Sequence, residues 1–544
     1  MANTKGKSNQ SMKASGKGKI IVGVITAVVL LIVAGFFVVI SGLPQKLLTG
    51  EKIVLKNEDG TVRETVDKVS VAELSYYYYQ VINSMGYGID PDTLDTVYDE
   101  ENGKTYRDMI LDVAAQEAMN SRLMNKAAKE NGFMEHSGSE RYAELLIDNQ
   151  RDMVENVYSK TYNVKTLDKW LKMNYGSGMS VNVYRNILKK AAVTEEYQAY
   201  AQQFELRPTE DEVKADYDSD PTNFLRADIN MYFFDKSLET DAADDAAAIA
   251  ACKAKAEAVA AKAVDSESFK NAVIEQVSED AATAESLEGE TDITFIKGVY
   301  KERAEMYGEG VADFLLKDGQ IGEAKVIETE NGAYAFFIVD RYLDETPTVV
   351  YRSLTLENDV VVDDDHTQAD VDKALSELEN KANGLAKSGM SALEFSDLVK
   401  KNSDLPAEII SGGFKGTGSS SFYYNGVTNE TDFGTVYDDA KASKASIDAD
   451  PNYEATATDY SNIDNAALGE WLFADGRKAG DVVVMKSADG SSVTVYYVES
   501  VMPAWIYNNM IAKITTASYT WRDTVIPADA GYEVDYKLMK YYLT

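Results

Sequence analysis

The side chains able to do covalent or proton-transfer chemistry are few in this chain. It has one cysteine, Cys252, and two histidines, His136 and His366. Nucleophilic and general acid–base sites need such groups held beside a partner. Cys252 lies in the Ala-rich run Ala246–Ala263, where a small buried hydrophobe is the expected role. His136 sits in Met134-Glu135-His136-Ser137-Gly138, expected as a turn between helices. His366 follows Asp363-Asp364-Asp365, expected in a loop before a helix. That acidic run lacks the 1-3-5-Gly-12 ligand spacing of a calcium loop, so no metal site is expected there. There is no Gly-x-Ser-x-Gly elbow, no Walker loop and no Cys/His pairing for zinc. The 90 acidic residues mark no particular carboxylate pair for glycosidase chemistry.

Charge and hydropathy say where the chain works. Ile20 to Ile40 is an apolar run of 21 residues with no charge and no proline. As a helix it is about 30 Å long, enough to cross a bilayer's hydrocarbon core. Lys5, Lys7, Lys13, Lys17 and Lys19 precede it with no acidic residue, the positive-inside pattern. The expectation is a retained signal-anchor with a cytoplasmic N-terminus and an extracytoplasmic bulk. A cleaved signal has a shorter apolar core and a small-x-small site, which Val38-Val39-Ile40-Ser41-Gly42-Leu43-Pro44 does not offer. The formal net charge is −36, and the five tail lysines leave the remainder more acidic still. That excludes nucleic acid as a partner, since no basic stripe meets phosphate. It reads as a solvated, self-repelling surface.

The pattern from Glu51 to about Pro221 is mainly helical, after a short hairpin at Ile53–Leu55 with a turn at Asn57–Gly60. Ser70-Val71-Ala72-Glu73 opens a helix carrying Tyr76 to Tyr79. Those tyrosines suit a binding surface or a helical core, and their helical spacing favours core for two or three of them. Further helices are expected around Glu140–Tyr158, Thr166–Tyr175 and Val181–Phe204, and after the Thr209-x-x-Glu212 box. From Ile229 the period changes, giving a strand, two helices, and a second strand at Ala333–Val339.

That α+β unit occurs twice. Asp318-Gly319 leads through Val326-Ile327 and an Asn331-Gly332 turn into a strand. Asp475-Gly476 leads through Val483-Val484 and an Asp489-Gly490 turn into the strand Val493–Val498. Leu225-Arg226 opens the first copy and Tyr351-Arg352 the second. Turn and strand signals fall in the same order, as in an internal repeat. The second copy carries a Gly/Ser/Asn/Asp-rich insertion, residues 417–464, expected as surface loop.

On these features the chain resembles the SurA/PrsA group of exported chaperone-foldases. The helical match rests on Arg207-Pro208-Thr209-Glu210-Asp211-Glu212-Val213. The parvulin match rests on Arg226-Ala227-Asp228-Ile229, Phe269 with Val277-Ser278-Glu279-Asp280, the Asp318–Glu323 turn, the closing hairpin, and Gly412-Gly413-Phe414-Lys415-Gly416. The resemblance implies an α+β protein with a transmembrane helix at 20–41 behind a basic tail at 1–19. It further implies a helical SurA-N-like chaperone domain at 51–222 and parvulin-like domains at 223–345 and 346–502. A C-terminal helix and tail at 503–544 would follow, with the helix folding back on the N-terminal helices.

Active parvulins carry one histidine on the opening strand and one on the closing strand. Here Ile229 (or Asn230) and Ala335 stand at those positions in the first copy, and Leu354 and Thr494 in the second. Ile, Leu and Ala side chains cannot hydrogen-bond, so the imidazole pair is absent and no catalytic residue is assigned. The expected function is an anchored extracytoplasmic chaperone that binds unfolded exported polypeptides, with no cofactor. The alternatives are a prolyl cis–trans isomerase with a non-standard pocket, and a surface adhesin or scaffold. Phe233, Met306 and Phe314 are the candidate peptide-binding side chains, and ordinary core is the competing role for each.

Overall fold

The computed structural model describes residues 42–85, 91–277, 285–286, 293–363, 365–414, 426–450 and 453–543. The apolar run Ile20–Ile40, Ser278–Asp280, Asp364 and Lys415-Gly416 fall outside the described residues. The architecture is mixed α+β. Among the described residues no helix is long and apolar enough to cross a membrane. In chain order the strands are β1 Thr49–Lys56, β2 Val62–Ser70, β3 Val97–Asp99, β4 Lys104–Thr105, β5 Leu225–Asp235, β6 Phe295–Val299 and β7 Ala324–Thr329. They continue as β8 Gly332–Leu343, β9 Pro347–Glu357, β10 Gly426–Thr428, β11 Val482–Lys486, β12 Ser492–Pro503 and β13 Ala530–Val534.

The chain forms two compact units. One takes residues 1–199, 400–410 and 519–544. Its sheet has the order β13-β1-β2, so the last strand of the chain lies beside the first. Helix Val71–Ser84 is capped by Ser70, whose hydroxyl accepts from the Glu73 amide. Helix Tyr106–Glu130 begins with a full Thr105/Asp108 capping box. Leu74, Tyr78, Ile110, Leu111, Ala114 and Ala118 recur at helical spacing and meet Ile53 and Val69 of the sheet in one core, with Met539 and Leu543. Tyr78 is buried and Tyr76, Tyr77 and Tyr79 are half-buried against that core or its neighbour, so the tyrosine run packs the fold. Trp521, Val525 and Ile526 lie on Met124, Ala128, Val193 and Tyr197.

The other unit takes residues 200–399 and 411–518. It holds two four-stranded antiparallel sheets, β6-β5-β8-β7 and β10-β9-β12-β11. Their strands come in the same order along the chain and the same order in space. In each, helices follow the opening strand, an edge strand and further helices come next, and a hairpin closes the sheet. Asp245–Lys262 and Ser266–Gln276 cover one face of the first sheet through Cys252, Val259 and Phe269. Gln368–Leu385 and Ala392–Asn402 cover the matching face of the second through Ala382 and Phe395.

The segment expected as surface loop at 417–464 is a correction. Where described, it contains β10, helix Val436–Ala449 and the start of helix Ala457–Leu472. Its small polar composition hides a Thr456/Asp459 capping box, which opens a helix whose buried residues Ala466, Leu468 and Leu472 lie just beyond 464.

Arg352 fixes the second sheet to its glycine loop. It is wholly buried, and its Nε lies 2.8 Å from Glu499 Oε2. Its Nη1 donates to the Gly412 carbonyl at 2.8 Å and its Nη2 to Gln203 Oε1 at 2.9 Å. The guanidinium lies 3.9 Å from the Phe414 ring centroid. Gly412 must be glycine: its φ is +62° and a Cβ there would meet Ser396 Oγ at 1.9 Å.

Candidate functional site

Strand alternation decides which side chains of the first sheet share a face. In β5 and β8, Ala227, Ile229, Phe336 and Ile338 face one way, against Ala304, Val311, Phe314 and Leu315. Phe234, Ala333, Ala335 and Phe337 face the other way, against Cys252 and Phe269. Helix Lys301–Glu305 and residues 311–318 cover most of the first face, and its hairpin end stays open.

At that end four rings gather. Phe233 and Tyr334 are cross-strand partners with ring centroids 4.5 Å apart. Tyr334 stacks on Phe336 at 5.4 Å, and Tyr307 lies 5.8 Å from both. Phe233, Tyr307 and Tyr334 are half-buried, and Met306, next to Tyr307 in the chain, is 84% exposed. Gly308, at φ +133°, turns the chain so that Tyr307 reaches the sheet. Arg303 Nε donates to the Tyr307 hydroxyl at 3.3 Å. Burial, then the neighbouring Tyr307, pushes the Tyr334 hydroxyl above its usual range, so it stays a neutral donor. Gly332, at φ +149°, closes the β7–β8 hairpin where a Cβ would meet Phe234 O at 1.9 Å. The result is a rigid, partly exposed aromatic surface with hydroxyls at its margin. Such a surface suits apolar side chains and prolyl rings of an extended polypeptide.

The candidate residues divide. Phe233 lies at this surface, and Met306 is the exposed chain neighbour of Tyr307. Phe314 does not: it is 3% exposed and belongs to the core beneath, with Lys325 Nζ 5.1 Å from its ring. The two positions read as replaced histidines are not brought together. Ile229 pairs with Ile338, and Ala335 is an odd step of three from Ile338, so it faces the opposite side. Leu354 pairs with Val495, and Thr494 is one step away, again on the other face. Of the alternatives at the opening strand, Asn230 shares the face of Ala335; it is buried and donates to Thr294 Oγ1 at 2.9 Å. His136 caps helix Ser137–Met153, with Nε2 2.8 Å from Glu196. His366 is exposed, with Nδ1 3.0 Å from Asp363 Oδ1. Among the described residues no three His, Cys, Asp or Glu side chains are grouped to hold a metal ion.

Sequence reasoning missed Tyr307, Tyr334 and Phe336. The signal was the alternation in β8, which sets Tyr334 and Phe336 on one face and Ala333, Ala335 and Phe337 on the other. No protein-family model matches the chain, and a search of curated proteins returns no match.

Proposed function

We propose that the chain is an anchored extracytoplasmic chaperone that holds unfolded exported polypeptides, of the kind its sequence resembles in the SurA/PrsA group. The observation that carries the reading is the half-exposed ring cluster Phe233–Tyr307–Tyr334, with the exposed Met306 next to Tyr307 in the chain. An unfolded chain offers apolar segments of many shapes. Rigid rings supply contact area at low conformational cost, and a flexible thioether adapts to what is left. The apolar run Ile20–Ile40 supplies the anchor in this reading, and the two parvulin-like modules serve binding rather than catalysis.

The test is a refolding assay with the full chain in lipid nanodiscs and an aggregation-prone unfolded substrate whose folding is limited by prolyl isomerisation. Suppression of aggregation near equimolar ratio, without faster refolding, is the expected result. Acceleration at a few per cent of the substrate concentration would support the isomerase reading instead, because uncatalysed isomerisation takes tens to hundreds of seconds. No effect on either would leave an adhesin or scaffold.

A further inference from the structure

The described fold begins where the apolar run Ile20–Ile40 stops. Gly42 follows Ile40 by two residues, so it lies at most about 7 Å from the end of that run. Only Ser41 stands between, too short for a linker. In the anchored reading Ile40 ends the bilayer span, and each headgroup layer beyond it is about 5–7 Å deep. The chain is fixed to its unit at once. Gly42 has φ +68°, and a Cβ there would meet Ser177 O at 2.3 Å. Gln45 is 5% exposed, and its Nε2 donates to Ser177 Oγ at 2.7 Å. A Cβ on Gly178 would meet the Gln45 Cβ at 2.5 Å. The Leu48 carbonyl accepts from the Val71 amide at 2.9 Å, and Thr49 opens β1. Helix Leu43–Leu47 is thus held at both ends and along the Gln45 side.

Its other side is apolar and open. Leu43 and Leu47, four residues apart on one helix face, are 43% and 74% exposed, and Leu48 is 39% exposed. Lys46, in the last turn, forms no ion pair among the described residues. The chain carries a net charge of −36, yet its first acidic residue is Glu51, which is wholly buried. Along this stretch of sequence, lipid phosphate would meet lysine and no surface carboxylate. Leucines gain by leaving water for the acyl boundary, and a lysine beside them can snorkel to the phosphates.

We propose that helix Leu43–Leu47 lies in the headgroup layer of the membrane its own chain spans, with Leu43, Leu47 and Leu48 toward the acyl boundary and Lys46 at the phosphates, so that the bilayer surface is the partner of this patch and seats the unit that holds it. The inference rests on the anchored reading for the span. It goes beyond that reading, because a span on a slack tether would leave the unit free to turn away from the lipid. The contact is apolar first, so it needs no anionic lipid.

The experiment uses the full chain in phosphatidylcholine nanodiscs, with Leu43→Cys or Leu47→Cys carrying a polarity-sensitive nitrobenzoxadiazole label. Leu238→Cys, 70% exposed in the other unit, is the control. Wild type treated with the same reagent gives the blank for buried Cys252. Labels at 43 and 47 are expected to emit to the blue of the label at 238. They should lose most of their emission to a nitroxide at headgroup level, which leaves 238 unchanged. Circular dichroism melts confirm folding, and Leu48→Cys serves if either variant melts early. Flotation with vesicles at alkaline pH tests the span separately. Water-like, unquenched emission at 43 and 47 in a chain that floats overturns the proposal and spares the anchor. Stronger quenching by a nitroxide deep in the acyl chains also overturns it, because the leucines would then extend the span. Equal quenching at 238 overturns it as well. A chain that fails to float removes the anchor and the proposal with it.

Discussion

Glu51→Gln should convert a pH-sensitive sheet into an insensitive one. Glu51 sits on β1 between Val69 of β2 and Val534 of β13. It has 0% exposure, and neither carboxyl oxygen has a hydrogen-bond partner. Arg122 is nearby but committed, at 3.1 Å to Asp67 and 2.5 Å to Glu73, while Lys190 reaches Glu73 at 3.5 Å. Tyr532 of β13 faces the same region. Desolvation pushes the Glu51 carboxyl from 4.5 up to about 8; Arg122 opposes the rise, and Glu73 and Asp67 add to it. The folded chain therefore keeps a proton that the unfolded chain releases. With the folded pKa the higher of the two, the contribution is whole below pH 4.5 and is lost as pH rises toward 8. The loss is at most about 4–5 kcal/mol. Glutamine keeps the shape and never ionises. Hydrogen exchange of β1 and β13 amides, corrected for intrinsic rates, should show wild-type protection falling between pH 5 and 9 while Glu51→Gln stays level. Parallel profiles for the two proteins would refute the reasoning.

Three further outcomes follow from particular contacts. Arg352→Met removes three hydrogen bonds and leaves buried Glu499 with Arg207 as its remaining cation, so it should destabilise its unit by about 3 kcal/mol or more, measured by thermal melting. Thr456→Ala should cost about 1 kcal/mol of helix stability. The Thr456 amide and hydroxyl hold the Asp459 carboxyl down to about 2, and proton titration by NMR should find it back toward 3.8 in the variant. Cys252 is buried and its thiol is pushed up by burial, so a thiol reagent should label it only on unfolding; prompt labelling of the native chain would contradict its placement.

Local features were legible in the sequence where one physical rule dominates. The Thr209-x-x-Glu212 box caps a helix as read, and the apolar strands fall at β5, β8 and β12. The insertion was misread because its composition is that of a loop, whereas a Thr456/Asp459 cap inside it opens a helix whose buried residues lie beyond 464. The ring cluster was only half legible. Phe233 and Met306 were picked by type, but Tyr334 joins Phe233 through ladder register, which no single strand reveals. Phe314 was picked by the same criterion and is core, because type alone does not distinguish a ring beneath a helix from one at its edge. Likewise Ile229 and Ala335 can be aligned one strand at a time, yet only their pairing shows that they face opposite sides. The role of β13 depends on a contact between the two ends of the chain, which local periodicity does not carry.

Photo-crosslinking tests the central claim most directly. A benzophenone amino acid replaces Tyr307, Tyr334 or, as control, Tyr541, which is 72% exposed and remote from the ring cluster in the chain. Irradiation with an unfolded substrate should give adducts at positions 307 and 334 and few at 541. Equal yields at all three, or adducts at 541 alone, would contradict the account.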